Sequence, residues 1–173
     1  MVTPYETSYY KRHRYAKQFS WAIPNQNTIK ELVKLSPIVE IGAGTGYWAN
    51  LLSKQGAEVV AYDAKPPKKR GFNSYCKQSN YPVRLGRENK VKKHPHHTLM
   101  LCWAPYGEPM AYNALKKYKG DTLIYIGEGW GGCCADDDFW ELVKREWVVV
   151  CHHHIEKWDG IRDFCAVYKR KGV

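Results

Sequence analysis

Residues 39–63, VEIGAGTGYWANLLSKQGAEVVAYD, constrain this chain more than any other stretch. The apolar run Ile38 to Ile41 reads as a short buried strand, and glycines follow at alternate positions, Gly42, Gly44 and Gly46. Trp48, Leu51 and Leu52 then recur at helical spacing before Gly56, and a second apolar run from Glu58 to Tyr62 closes on Asp63. Glycine is needed where a backbone turns tightly or lets a ligand come within contact distance. An acid at the end of the second strand can accept hydrogen bonds from both hydroxyls of a ribose. The segment therefore predicts a ribose-bearing cofactor held beyond the strand ends.

The rest of the chain continues the alternation of apolar runs and helical patterns. Pro24 and Asn25 start a helix in which Ile29, Leu32, Val33 and Leu35 recur, and Pro37 closes it. Between Ala64 and Pro95 only Tyr81 to Leu85 suggests a strand. Thr98 to Cys102 is a continuous apolar strand that ends in Trp103, Ala104, Pro105 and Tyr106, and a helix from Met110 to Tyr118 follows. Thr122 to Ile126 is the next strand, Gly127 to Gly132 a glycine-rich loop, and Asp136 to Asp138 cap a helix running to about Arg145. The last two runs, Trp147 to His152 and Phe164 to Lys169, flank Asp159 and Gly160, a hairpin signal that turns the final strand antiparallel. This order predicts an α/β, Rossmann-like fold: a mostly parallel sheet, helices on both faces and an antiparallel C-terminal strand. With 173 residues the expectation is one domain over 1–173, with 1–24 as a basic and aromatic N-terminal arm.

Composition removes several classes. No apolar run approaches the roughly 20 residues of a membrane helix, and the first residues lack the apolar block of a secretory signal, so a cytoplasmic protein is expected. The six cysteines follow no metal-ligand spacing. Cys133, Cys134 and His152 to His154 offer neither a CxxC pair nor helical histidine spacing, so no metal is expected. The net charge of +10 comes from clusters: Lys11, Arg12, Arg14 and Lys17; Lys65, Lys68, Lys69 and Arg70; Lys90, Lys92 and Lys93; Lys169 to Lys171. Such a surface suits an anionic partner, a nucleic acid or nucleotide above all.

The glycine spacing selects the cofactor. Dinucleotide folds use GxGxxG to seat a pyrophosphate, whereas this loop reads GxGxG. An acid, any residue, then GxGxG resembles the first motif of the class I S-adenosylmethionine-dependent methyltransferases, matched in full by Glu40, Gly42, Gly44 and Gly46. The resemblance in element order covers about Pro37 to Arg170. It implies that Glu40, Gly42, Ala43, Gly44 and Gly46 lie against the methionine part of S-adenosyl-L-methionine and that Asp63 holds the ribose. It further implies contacts at Ala64, Cys102 and Trp103, with adenine near Gly86 to Asn89.

The acceptor side matches less well. Amino methyltransferases resemble one another in an Asp/Asn-Pro-Pro-aromatic motif at the fourth strand's end, where this chain has Cys102, Trp103, Ala104, Pro105 and Tyr106. The proline and aromatic could still stack a planar acceptor. The ribose methyltransferases' Lys-Asp-Lys-Glu set has no Asp in the matching place. The catalytic candidates are Tyr106, Glu128 and His153, the last two as bases. The expected function is methyl transfer to an acceptor among nucleic acids or nucleotides, the alternative being a non-catalytic S-adenosylmethionine-binding or interaction module.

Overall fold

The computed structural model describes residues 4–67, 76 and 78–172. The Lys68, Lys69 and Arg70 cluster and the side chains of Tyr5 and Tyr9 lie outside the described residues. In chain order the elements are α1 (Pro4–Gln18), β1 (Ile23–Pro24), α2 (Gln26–Val33), β2 (Ile38–Ile41), α3 (Tyr47–Lys54), β3 (Val59–Asp63) and β4 (Arg84–Leu85). A 3-10 turn at Glu88–Lys93 precedes β5 (Thr98–Cys102), α4 (Met110–Lys117), β6 (Thr122–Gly127), α5 (Asp137–Glu146), β7 (Trp147–His153), β8 (Ile155–Glu156) and β9 (Phe164–Arg170).

Among the described residues seven strands form one sheet in the order β4-β3-β2-β5-β6-β9-β7. The pairs from β4 to β6 are parallel, and β9 runs antiparallel to both β6 and β7. The three strands buried along their whole length, β2, β5 and β6, are the central ones, as expected where both faces are covered. One face packs Ile29 and Leu32 of α2 with Trp48 and Leu52 of α3 over Ile38, Met100 and Ile124. The other packs Ala111, Ala114 and Leu115 of α4 with Phe139 and Leu142 of α5 over Val39, Leu99 and Leu123. Period-2 alternation along β2 thus sends Ile38 and Glu40 to one layer and Val39 and Ile41 to the other.

The helix starts follow from side-chain caps. The Asn25 side chain accepts the Thr28 N–H at 2.9 Å and the Asp136 side chain accepts the Phe139 N–H at 3.1 Å, each satisfying a donor the helix itself leaves free. The end of the sheet has the expected antiparallel pair: β7 and β9 are neighbours, with Trp147 opposite Arg170 and His153 opposite Cys165. Asp159 and Gly160 form a turn within their connection, with the Ile161 N–H donated to the Trp158 carbonyl, but the connection is longer than a tight two-residue hairpin loop. The connecting chain is diverted into β8, which pairs with β1, Ile23 opposite Glu156 and Pro24 opposite Ile155. Residues expected to be an arm, 4–18, form helix α1. No helix among the described residues is long and apolar enough to cross a membrane.

Gly46 shows how tightly the glycine loop is packed. It caps α3 at φ +72°, and a Cβ there would stand 2.7 Å from Tyr81 Cβ and 2.9 Å from Val83 Cγ2. Gly46→Ala is expected to cost about 2 kcal/mol, or about 4–8 °C of Tm. Gly56, at φ +96° with nothing near its Cβ position, is the comparison in thermal melts. A drop for Gly46→Ala no larger than that for Gly56→Ala would refute the packing argument.

Candidate functional site

The sheet reverses its direction of growth between β2 and β5, and a crevice beyond the carboxyl ends of strands at such a switch point is where α/β folds bind ligands. A cavity of about 570 Å³ opens there, within the roughly 300–1,000 Å³ typical of small-molecule sites. Its floor is Glu40 to Thr45, with Asp63 and Ala64 on the next strand end and Gly86 to Glu88 beyond β4. Cys102 to Tyr106 make the opposite wall, and Ala16, Phe19, Ser20 and Trp21 form a roof from the N-terminal segment.

Glu40 is 1% exposed, and one of its oxygens, Oε2, has no hydrogen-bond partner. Burial, and then the nearby Asp63, push its pKa up to about 8, against a backbone donor at Ala49. Asp63 is engaged differently. Its Oδ2 accepts the Gly44 N–H at 2.9 Å and its Oδ1 the Lys65 N–H at 2.7 Å, tying the glycine loop to β3. At Gly42, φ +77°, a Cβ would come 2.9 Å from Met110 Cε, so α4 closes on the loop as far as a glycine allows.

Of the residues proposed from sequence for the cofactor, Glu40, Gly42, Ala43, Gly44, Asp63, Ala64, Cys102 and Trp103 all line this cavity. Gly46 does not; it is spent on packing against Tyr81 and Val83. From the stretch suggested for adenine, Gly86, Arg87 and Glu88 reach the lining and Asn89 does not.

The acceptor-side candidates separate. Tyr106 lines the mouth and is 73% exposed. Glu128 lies outside the lining: its Oε1 accepts the Arg162 N–H at 2.8 Å and its Oε2 the Cys133 N–H at 2.9 Å, so it staples the loop after β6 to the segment before β9. Burial alone would raise its pKa, but these donors and Arg12 outweigh it and hold it below the usual carboxylate value. His153 is also outside. The insertion of β9 between β6 and β7 carries β7 to the sheet edge, where His153 faces Glu31 and Lys34 and burial lowers its pKa. The neighbouring His152 packs edge-on to Phe164, and the His154 carbonyl accepts from Asn25 and Thr28. Among the described residues no three His, Cys, Asp or Glu side chains are placed to hold a metal ion.

The sequence did not single out Phe19 or Ser20 as lining residues, nor Met110 and Asn113 of α4. Phe19 is fixed by the Thr45 hydroxyl, which donates to its carbonyl, and by Tyr47, whose ring lies 5.2 Å away. Its presence in the sequence carries no periodic signal.

No family model and no curated protein sequence matches this chain. Solved structures do. Magnesium protoporphyrin IX methyltransferase from Synechocystis PCC 6803 with bound SAM is similar at a TM-score of 0.57 and 13% identity over 99% of this chain and 86% of that one. The same enzyme with bound SAH gives 0.55 and 12%, over 99% and 89%. A SAM-dependent methyltransferase from Anabaena variabilis ATCC 29413 gives 0.51 and 11%, over 95% and 94%. The chain has the fold of the class I S-adenosylmethionine-dependent methyltransferases.

Proposed function

We propose that this chain binds S-adenosylmethionine in the cavity at the switch point and transfers its methyl group to a planar acceptor in a nucleic acid or nucleotide. The observation that carries the reading is Glu40, a buried carboxylate with an unpartnered oxygen in the cavity floor, one strand away from Asp63. A cofactor with a cationic amino-acid end and a ribose fits that pair. Glu40 would face the cationic end, Asp63 would accept from the ribose hydroxyls with its remaining lone pairs, and Gly86 to Glu88 would flank the base.

Bound there, the cofactor supplies a sulfonium methyl that is transferred by in-line displacement. The protein's part is alignment and exclusion of water. Trp103, Pro105 and Tyr106 offer flat and apolar surface for a planar acceptor at the wall opposite Asp63. Acceptor choice is supported by charge. The lining itself is mainly acidic, with Glu40, Asp63, Glu88 and Glu108 against Arg87. By contrast Lys11, Arg14 and Lys17 are exposed on α1, and Lys65 is exposed just beyond Asp63. Exposed basic residues on the helix and strand end that contribute to an aromatic cleft suit a phosphate backbone that presents a base.

A second reading, a cofactor-binding module without turnover, is favoured by Glu128, whose oxygens are both taken by backbone amides. Calorimetric titration with S-adenosylmethionine and S-adenosylhomocysteine is the first test, followed by labelled methyl donor with RNA, DNA and nucleotide pools. Micromolar-order binding and label transfer are expected. No binding to either compound overturns the proposal; binding with no transfer to any pool leaves the module reading.

A further inference from the structure

Among the described side chains of helix α1, one charged group is buried. Arg12 is 7% exposed, while Lys11, Arg14 and Lys17 on the same helix are exposed. Its guanidinium carbon stands 4.7 Å from the Trp21 ring centre and 4.4 Å from that of Trp103, and the two indoles stack at 5.6 Å. Trp103 follows β5 at φ +49°, a region a bulky side chain enters only when its surroundings hold it there. Its Nε1 donates to Asp163 Oδ1 at 2.9 Å. Asp163 is 0% exposed, and its other oxygen has no partner, nor have Nε and Nη2 of Arg12.

Both indoles line the cavity; Arg12 and Asp163 stand behind them. Burial with unpartnered nitrogens is costly for Arg12, and an apolar side chain of similar size would pack there at less cost. The compensation visible in the structure is a desolvated cation over two aromatic faces, with the attraction of Asp163 and Glu128, which desolvation still outweighs. Helix stability alone therefore does not account for an arginine at this place. What the arginine does supply is direction: a planar cation seats only where both indole faces and the Asp163 carboxylate converge.

We propose that Arg12 is a positioning residue that docks α1 as the roof of the cavity and, with Asp163, sets the Trp103 indole that walls the acceptor end. The word acceptor rests on the function proposed above; the docking of α1 does not. An undocked α1 leaves the cavity open along Ala16 to Trp21, and a docked one completes it.

The test is hydrogen exchange of the protein without added ligand, in the wild type, Arg12→Gln and Arg12→Lys, with near-ultraviolet circular dichroism beside it. Arg12→Gln is expected to speed exchange of the backbone amides of residues 13–22 at least about tenfold. The same variant should lose the tryptophan band that Trp103→Phe also removes, and Arg12→Lys, which keeps the charge, should recover part of both. Exchange in β5 and β6 stays at its wild-type rate. Unchanged exchange in 13–22, an unchanged band, or acceleration spread into β5 and β6 overturns the proposal, the last as general loss of stability. Because no ligand is present, these outcomes are read whether or not the chain binds S-adenosylmethionine.

Discussion

Asp63→Ala is expected to weaken S-adenosylmethionine binding by at least about 100-fold. A hydrogen bond to an ionised acceptor contributes about 1.5–3 kcal/mol, and two ribose hydroxyls donating to one carboxylate would lose about 3–6 kcal/mol together, a factor of about 10² to 10⁴. The carboxylate also holds the cavity's own shape, since its two oxygens receive the Gly44 and Lys65 amides. Its removal frees the Gly44 N–H and loosens the loop that must lie against the ligand. Asp63→Asn keeps the volume and one acceptor oxygen and is expected to lose about tenfold, between the two extremes. Calorimetric titration on variants whose far-ultraviolet spectra match the wild type decides it. An Asp63→Ala affinity within threefold of wild type would place the ribose elsewhere and detach the sequence motif from the cavity.

That the glycine loop and Asp63 could be found from sequence reflects how local their geometry is. A strand, a turn and a helix within 25 residues leave the chain little choice, and β2 and β5 match the predicted runs residue for residue because strands buried on both faces are nearly continuous in apolar residues, Glu40 and Thr98 being the exceptions. Pairing order is a different kind of information. Nothing in Phe164 to Arg170 says that it enters between β6 and β7, although the turn at Asp159 and Gly160 did announce its antiparallel pairing with β7. The pairing of β8 with β1, two residues long on each side, lengthens the connection between β7 and β9. Helix α1 was hidden for a related reason: PYETSYYKRHRYAKQ has no apolar stripe. Its described residues bury a cation and an alanine, Arg12 and Ala16, in place of the leucines and isoleucines that periodicity would detect.

The acceptor wall shows the same divide. Trp21, Trp103 and Asp163 come from three distant segments and meet through a side-chain hydrogen bond and ring stacking. Glu128 looked like a free base at a strand end, but the Arg162 amide, 34 residues away, occupies one oxygen. Residue type and strand position nominate candidates, and only the partners decide which of them remain available.

Proton linkage at Glu40 follows from the same accounting of partners, and its sign differs for stability and for binding. Burial pushes Glu40 up to about 8, above the about 4.3 of an unfolded chain. Between those values the folded state holds the extra proton, so this group's contribution to stability is fully present below about pH 4.3 and is lost as pH rises toward 8. Asp163, raised to about 7 by burial, adds to the same fall. Binding runs the other way. A cationic group placed against Glu40 favours its ionised form, so binding below about pH 8 must expel a proton and affinity climbs with pH, by up to tenfold per unit. S-adenosylmethionine affinity is expected to rise on the order of tenfold or more between about pH 6 and pH 8 in the wild type. Glu40→Gln should flatten this rise, and titration of the ligand itself is common to both proteins and cancels in the comparison. Calorimetry in two buffers of different ionisation heat counts the proton directly. Identical profiles and no released proton in the wild type would mean that the cationic end of the ligand does not face Glu40, and the orientation drawn for the cofactor would have to be reversed.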